Sequence, residues 1–502
     1  MADRRNILFV IFDQFRADLL SGPLEEAANL PNLQAFRSQA TTFLNHFSVT
    51  APCGPARASL FTGQYAMNHR SVRNGTPLRH DIPNLATELR HAGYDPLLFG
   101  YTDAAQDPRV LPPDDPRLKS YEETLPGFTE AVRMRLESDV TAWTDDLRRK
   151  GYAVPPLDRL YVPSGSKIDD PAFYSAEDSD TAFLTNATID RLAGEPAGWC
   201  ATACFIRPHP PFVAPAPYHS MFAASAMPTA ASTSDPRGDG AWHPFLAPTQ
   251  ARSPIQSVVD GFPDLPATPE MVARIRALYC GLAAEVDHHF GRLMRWLEGS
   301  GQADETLVIV TADHGEMLGD YGLWGKGSFH DAAFHIPLLI RDPARAQSHG
   351  REIHAMTESV DVLPTILDLS GAPVPASANG QSLSALLDGA APTKLQTFSE
   401  LDFGNPLSPT RQQSALGLAS RSANLAVLRT ARFRLVHFAA DLPPILFDME
   451  GEGECRDISH APWAAKTMRE LTDAMLRHRM LHMESTFAQT LIADGAVRTG
   501  AC

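Results

Sequence analysis

Three short runs of this sequence carry side chains suited to ionic chemistry, at places where a folded chain would present them. Asn6-Ile7-Leu8-Phe9-Val10-Ile11-Phe12 is an apolar run of strand length that ends in Asp13-Gln14. Thr306-Leu307-Val308-Ile309-Val310-Thr311 repeats the design and leads into Asp313-His314-Gly315-Glu316. Crevices of open α/β sheets lie at the carboxyl ends of strands, so two such strands deliver Asp13, Asp313 and His314 to one edge. A single Asp after a strand commonly caps the next helix. Two strand-end acids, one followed directly by His, favour a metal site over two caps when a third run, Cys53-Gly54-Pro55-Ala56-Arg57, accompanies them. Alone, that third run would read as a buried cysteine before a proline turn.

The elements that must position these groups alternate through the first three quarters of the chain. Strands are predicted at 6–12, 95–100, 199–206, 306–311 and 336–340. Helices are predicted at 32–38, after the cysteine loop, and at 85–92, 270–297 and 360–369. That order predicts an α/β fold, a mostly parallel sheet with helices on both faces. Residues 103–120, rich in Pro and Asp, and 220–256, rich in Ala, Ser, Thr and Pro, read as long loops, the second as a lid or a disordered insertion. From Gly371 the chain turns to Gly and Pro punctuation, short strands at 425–428, 432–438 and 445–448, and a final helix at 462–483. A chain of 502 residues is long for one core, and the expected division is 1–370 and a smaller α+β domain, 371–502. Met468, Leu471, Met475 and Met483 fall at helical spacing, as core or subunit interface.

A net charge of −16 argues against a nucleic-acid partner, because phosphate backbones are bound by basic surfaces. An anionic substrate must then be drawn by local cations. Arg4-Arg5 and the short apolar run after them superficially resemble an export signal, but that run is accounted for as the first core strand. No stretch approaches the roughly 20 apolar residues of a membrane helix, so a soluble cytoplasmic protein without a membrane partner is expected. The six cysteines are scattered, without disulfide or zinc spacing. Cys200 and Cys204 share a predicted strand in which four residues span about 13 Å, too far for a bridge.

Extended by Ser59-Leu60-Phe61-Thr62-Gly63, the cysteine run resembles the signature of type I sulfatases, the formylglycine-dependent branch of the alkaline-phosphatase superfamily. The similarity covers nearly the whole chain. It includes Asn74, Gly100-Tyr101-Thr102, Arg207-Pro208-His209-Pro210-Pro211-Phe212, Gly325-Lys326 and Val436-His437-Phe438, and within the family it is closest to the bacterial phosphonate monoester hydrolases. The resemblance implies an alkaline-phosphatase-like sheet sandwiched by helices, with a smaller C-terminal α+β domain. It also implies that a maturation enzyme oxidises Cys53 to formylglycine. One hydroxyl of the aldehyde hydrate attacks the ester, and the other later expels the bound oxyanion by carbon–oxygen cleavage.

In that scheme residue 53 joins Asp13, Asp313 and His314 around one divalent metal. Arg57 holds the hydrate, Lys326 meets the nonbridging oxygens, His209 contacts the substrate or protonates the leaving group, and Asn74 and Tyr101 line the site. Calcium sulfatases carry a second acid where this chain has Gln14 and an amide where it has His314. The change shifts preference from calcium toward manganese, iron or zinc, with manganese first, as in the phosphonate hydrolases. Asp103 stands where those relatives carry a hydroxyl residue, in the substrate-binding region. A carboxylate beside an anionic ester is costly unless paired or protonated, so it faces a cationic leaving group or a neighbouring Arg. The implied activity is metal- and formylglycine-dependent hydrolysis of small anionic esters, namely phosphonate monoesters and phosphodiesters, with sulfate esters as a side reaction. A dedicated arylsulfatase is the alternative. The terminal helix and the tail through Cys502 imply a homotetramer.

Overall fold

The computed structural model describes residues 4–488, 490–493 and 495–499. Its strands in chain order are β1 (Asn6–Phe12), β2 (Thr41–Phe47), β3 (Thr50–Ala51), β4 (Pro96–Gly100), β5 (Thr129–Arg133), β6 (Cys200–Phe205), β7 (Thr306–Ala312) and β8 (Leu338–Arg341). They continue with β9 (Glu352–Glu358), β10 (Gln396–Asp402), β11 (Asn424–Thr430), β12 (Phe433–Phe438), β13 (Ile445–Asp448), β14 (Thr490–Ala493) and β15 (Ala496–Thr499).

Eight strands form the central sheet in the order β5-β4-β6-β1-β7-β8-β2-β9. Every pairing is parallel except those of β8, which runs against both β7 and β2. β1 and β7 are buried along their whole length, which is why they read as unbroken apolar runs rather than alternating ones. Because these two strands pair in parallel, Phe12 beside Ala312, their carboxyl ends bring Asp13 and Asp313 to one point. Helices cover the sheet in two groups. Cys53–Thr62, Leu85–His91 and Val362–Leu369 pack among themselves, as do Pro31–Arg37, Asp180–Leu192 and Pro269–Gly299.

A second sheet, ordered β13-β12-β11-β10-β3, is antiparallel except at its last pair. β3 immediately precedes Pro52-Cys53, and it pairs in parallel with β10 through Thr50 with Glu400 and Ala51 with Leu401. Helix Ala464–Leu481 covers this sheet through Ala464, Leu471 and Met475. Among the described residues β14 and β15 pair only with each other.

Several elements differ from the sequence expectation. β2 (TTFLNHF) and β9 (EIHAMTE) mix polar with apolar residues because they lie toward one edge of the sheet, and no apolar run announced them. β5, β10 and helices Thr141–Arg149 and Asp180–Leu192 were likewise not expected. Residues 220–256 are neither a free lid nor a structureless insertion. Trp242, Phe245 and Leu246 sit in the core beneath the second sheet, Arg252 closes helix Leu246–Arg252, and Ser234 N–H donates to Cys455 O at 2.8 Å. The methionine stripe divides: Met475 is buried, whereas Met483 lies beyond the helix end and is 63% exposed. The end of the expected tail, Cys502, lies outside the described residues. Cys200 and Cys204 are free, buried thiols of β6. Among the described residues no helix is long and apolar enough to cross a membrane.

Candidate metal centre and active site

Cys53 is the first residue of helix Cys53–Thr62, all ten residues of which are buried, so its side chain faces the positive end of the helix dipole. Asn74 fixes that end by accepting the Gly54 N–H at 2.9 Å. One turn on, Arg57 lies fully buried between the strand-end acids. Its NH2 meets Asp13 Oδ2 at 2.9 Å, its Nε meets Asp313 Oδ2 at 3.0 Å, and its NH1 donates to Tyr101 O at 2.9 Å. A guanidinium with no exposure is tolerable only when paired and hydrogen-bonded in this way. Beside unmodified Cys53, the hydrogen-bond partners of Arg57 are thus Asp13, Asp313 and the Tyr101 carbonyl.

Asp13, Cys53, Asp313 and His314 each offer a ligand atom, and these atoms all lie within 4.8 Å of one another, fully buried. His314 Nδ1 faces Gly315 O at 3.0 Å, which places the proton there and leaves Nε2 with its lone pair toward the cluster, 3.2 Å from Cys53 Sγ. Burial, and then Lys326, lowers the imidazole to about 3, so it stands as a neutral donor. Burial, and then Asp13, holds the Cys53 thiol well above its ordinary range, which makes an unmodified cysteine a poor nucleophile here. In this arrangement Sγ stands where the oxygens of an oxidised residue 53 would be. Two carboxylates and one imidazole converging beside that atom fit a divalent cation.

Gln14, which takes a positive φ of 65° after β1, turns its side chain away from the cluster. Its amide donates to Glu316 and its oxygen accepts from Lys326 Nζ at 2.5 Å. Lys326 also meets His209 Nε2 at 3.0 Å. Glu316, to which the sequence reading gave no role, organises this corner: its Oε1 accepts from Leu318 N at 2.8 Å and Gly325 N at 2.6 Å, folding the loop back so that Lys326 reaches the site. The signal was its place in Asp-His-Gly-Glu, where Gly315 is required because a Cβ would lie 2.1 Å from Ala332 O.

These groups form the floor of a pocket of about 450 Å³. All ten residues selected from sequence except Arg57, Asp313 and His314 line it; those three form the buried layer of the floor. Tyr101 hydrogen-bonds Asp13, and its ring lies 4.2 Å from the Arg57 guanidinium carbon. Asp103 has φ 51°, its Oδ2 is 3.8 Å from Arg57 Nε, and its Oδ1 has no hydrogen-bond partner among the described residues. Burial pushes this carboxyl well above the usual carboxylate range, against the pull of Arg57. The neighbouring arginine expected for Asp103 is therefore Arg57. The rim comes from residues that sequence reasoning missed: Arg73, Tyr121, Glu122, Arg252, Asp402 and Thr410. Arg73 and Asp402 meet at 3.4 Å across a separation of 329 positions, and no local pattern could have joined them.

Fold, buried donor cluster and open pocket together define an ester hydrolase of the alkaline-phosphatase superfamily. The sulfatase family profile matches residues 5–372, and that of the N-sulphoglucosamine sulphohydrolase C-terminal region matches 319–481. The chain belongs to the sulfatase family, whose members are in general metal- and formylglycine-dependent. The phosphonate monoester hydrolase of Silicibacter pomeroyi superposes with a TM-score of 0.95 at 49% identity, covering 99% of each chain. That of Agrobacterium radiobacter gives 0.93 at 37% identity, covering 99% of this chain and 100% of that one. The multifunctional alkaline phosphatase superfamily protein PehA of Trinickia caryophylli is 34% identical over 96% of both sequences.

Proposed function

We propose that the protein hydrolyses phosphonate monoesters and phosphodiesters, with sulfate esters as secondary substrates. The observation that carries this reading is the buried cluster of Asp13, Cys53, Asp313 and His314 beside Lys326 and His209, in a chain that is 49% identical to a phosphonate monoester hydrolase. Asp13, Asp313, His314 and oxidised Cys53 would hold one divalent ion, which when bound would acidify a hydroxyl of residue 53 and offset the charge of the ester. Manganese is the ion proposed, because Gln14 turns away and leaves carboxylates with a single imidazole.

The chain's own side chains divide the remaining work. Arg57 balances Asp13 and Asp313, so the floor does not repel an anion. Burial would lower Lys326, yet Cys53, Asp13 and Asp313 carry it above its ordinary value, so it stays cationic and can meet a nonbridging oxygen. His209 is lowered to about 3 by burial and then by Lys326, and its Nε2 is a lone pair facing that ammonium. In the resting site it accepts a hydrogen bond from Lys326; to protonate a leaving oxygen its Nε2 would first take a proton, for which the Lys326 ammonium at 3.0 Å is the donor at hand, and then pass it on. Asn74 and Tyr101 shape the wall.

Measuring a phenylphosphonate ester, a phosphodiester and an aryl sulfate on one preparation tests the proposal. The two phosphorus esters should have the higher kcat/KM, and an aryl sulfate preferred over both would make the protein a dedicated arylsulfatase. A maturation enzyme acting on Cys53 and a homotetramer complete the proposal. Leu476, Met480, Leu481, Phe487 and Ile492 are 58–87% exposed on the terminal helix and hairpin, an apolar surface that a monomer should not leave open. Light scattering should give a multimer at micromolar concentration; a monomer would reject the assembly.

A further inference from the structure

The loop that presents His209 contains three prolines, Pro208, Pro210 and Pro211, and therefore offers few backbone donors with which to hold itself. Its N–H bonds run outward, His209 to Ile206 O at 3.0 Å and Phe212 to Val258 O at 2.8 Å. Two of the loop's carbonyls take a donor from one side chain, and one of them, Pro211 O, also accepts the Val213 N–H at 3.0 Å. Arg207, with no solvent exposure, donates from NH1 to both His209 O and Pro211 O at 3.0 Å, bracketing Pro210. The other side of the guanidinium is anchored: Nε meets Asp180 Oδ2 at 3.1 Å, and its carbon lies 4.3 Å from the centre of the Tyr161 ring. The Tyr161 hydroxyl donates to the same carboxylate oxygen at 3.2 Å. Asp180 opens helix Asp180–Leu192, and its Oδ1 accepts the Thr181 N–H at 2.9 Å.

The carbonyl between these two, Pro210 O, is taken by His209 itself. Nδ1 lies 2.5 Å from it, so the proton sits on Nδ1 and Nε2 faces Lys326 with its lone pair. The tautomer and aim of the imidazole thus depend on where Pro210 O stands, and Arg207 fixes the carbonyls on either side of it. We infer that Arg207, anchored by Asp180, is a positioning residue that sets the direction and tautomer of His209 from beneath the pocket. The inference rests on the role given to His209 above. A buried ion pair that merely held the fold together would not need to reach both carbonyls flanking the one His209 uses.

Arg207→Lys keeps a cation for Asp180 but loses the fork to the two carbonyls. It should lower kcat/KM about 100-fold, more for esters of poorly acidic alcohols than for nitrophenyl esters, because displacement by about 1 Å costs that much. In a His209→Ala background the same substitution should change kcat/KM by less than about threefold, since its route is gone. Equal losses in both backgrounds, or a fully active His209→Ala enzyme, would overturn the inference while leaving the hydrolase reading standing. Asp180→Asn, which keeps an acceptor for Arg207, should give a smaller loss with the same dependence on the leaving group. If none of the three ester classes is hydrolysed the hydrolase reading fails, and a crystal structure of Arg207→Lys decides the inference alone. Loss of the His209–Lys326 contact is expected, and its retention would overturn the inference.

Discussion

The floor and the rim of the pocket are built on opposite principles. On the floor Asp13, Arg57, Asp313 and His314 are each at most 1% exposed, each touches at least one of the others, and all leave strand ends or a buried helix. Arg73, Tyr121, Glu122 and Arg252 reach the rim from connecting segments, and Arg252 at the end of a seven-residue helix is exposed. A network of buried, mutually paired charges tolerates no single loss, because each removal strands a partner. An exposed rim charge is screened and replaceable. From this difference the rate of reaction is expected to depend on the floor and the choice among esters on the rim.

The sharpest test of the floor concerns residue 53. Active protein should carry formylglycine there, seen by peptide mass spectrometry as loss of sulfur and two hydrogens with gain of one oxygen, and full activity from wholly unmodified thiol would break the mechanism. Next in size, Asp313→Asn should release bound metal and cost about 10³-fold in kcat, with the fold largely intact. Elemental analysis of wild type that finds calcium instead of a first-row ion would refute the part assigned to His314.

Asp103, between floor and rim, should have an intermediate effect that depends on pH. Its carboxyl is pushed up by burial, so it is neutral at low pH and anionic once the pH passes its raised value. A unit charge about 6 Å from the ester at an effective dielectric of about 20 contributes about 3 kcal/mol before screening, enough for up to about two orders of magnitude. Discrimination against dianionic phosphate monoesters, relative to singly charged esters, should therefore grow as pH rises. Asp103→Asn should flatten that trend, and an unchanged trend would place the charge elsewhere. The smallest effect belongs to the rim: Arg252→Ala should raise KM for singly anionic esters up to about fivefold and leave kcat unchanged. A large fall in kcat would dissolve the division between floor and rim.

That division also governs how much could be read from sequence. β1 and β7 are buried on both faces, so they appear as apolar runs, and the parallel pairing of such strands brings the acids after them together. Gly100 was legible as a strand end and as part of Gly-Tyr-Thr, and the structure supplies the reason for glycine there: its φ of 106° and its approach to Cys204 O, 2.4 Å from an added Cβ, leave room for no side chain. The last two strands of the sheet, β2 and the edge strand β9, carry Thr, Asn, His and Glu and give no such signal. The partners of Arg57 were hidden because a motif gives a residue's position on a helix but not which buried charge it neutralises. The rim was illegible, since it gathers residues from loops whose lengths and paths are set by tertiary packing.

β3 holds only two residues, and they enter the second sheet one position before Pro52-Cys53. Their partner, β10, is nearly 350 positions downstream and is synthesised late. Until the ribosome has delivered β10, Thr50 and Ala51 lack their partner in the second sheet; in the finished fold Cys53 is 5% exposed at the bottom of the pocket. The maturation enzyme proposed to oxidise the cysteine would therefore work against a clock, set by the time translation takes to travel from residue 53 to the end of β10.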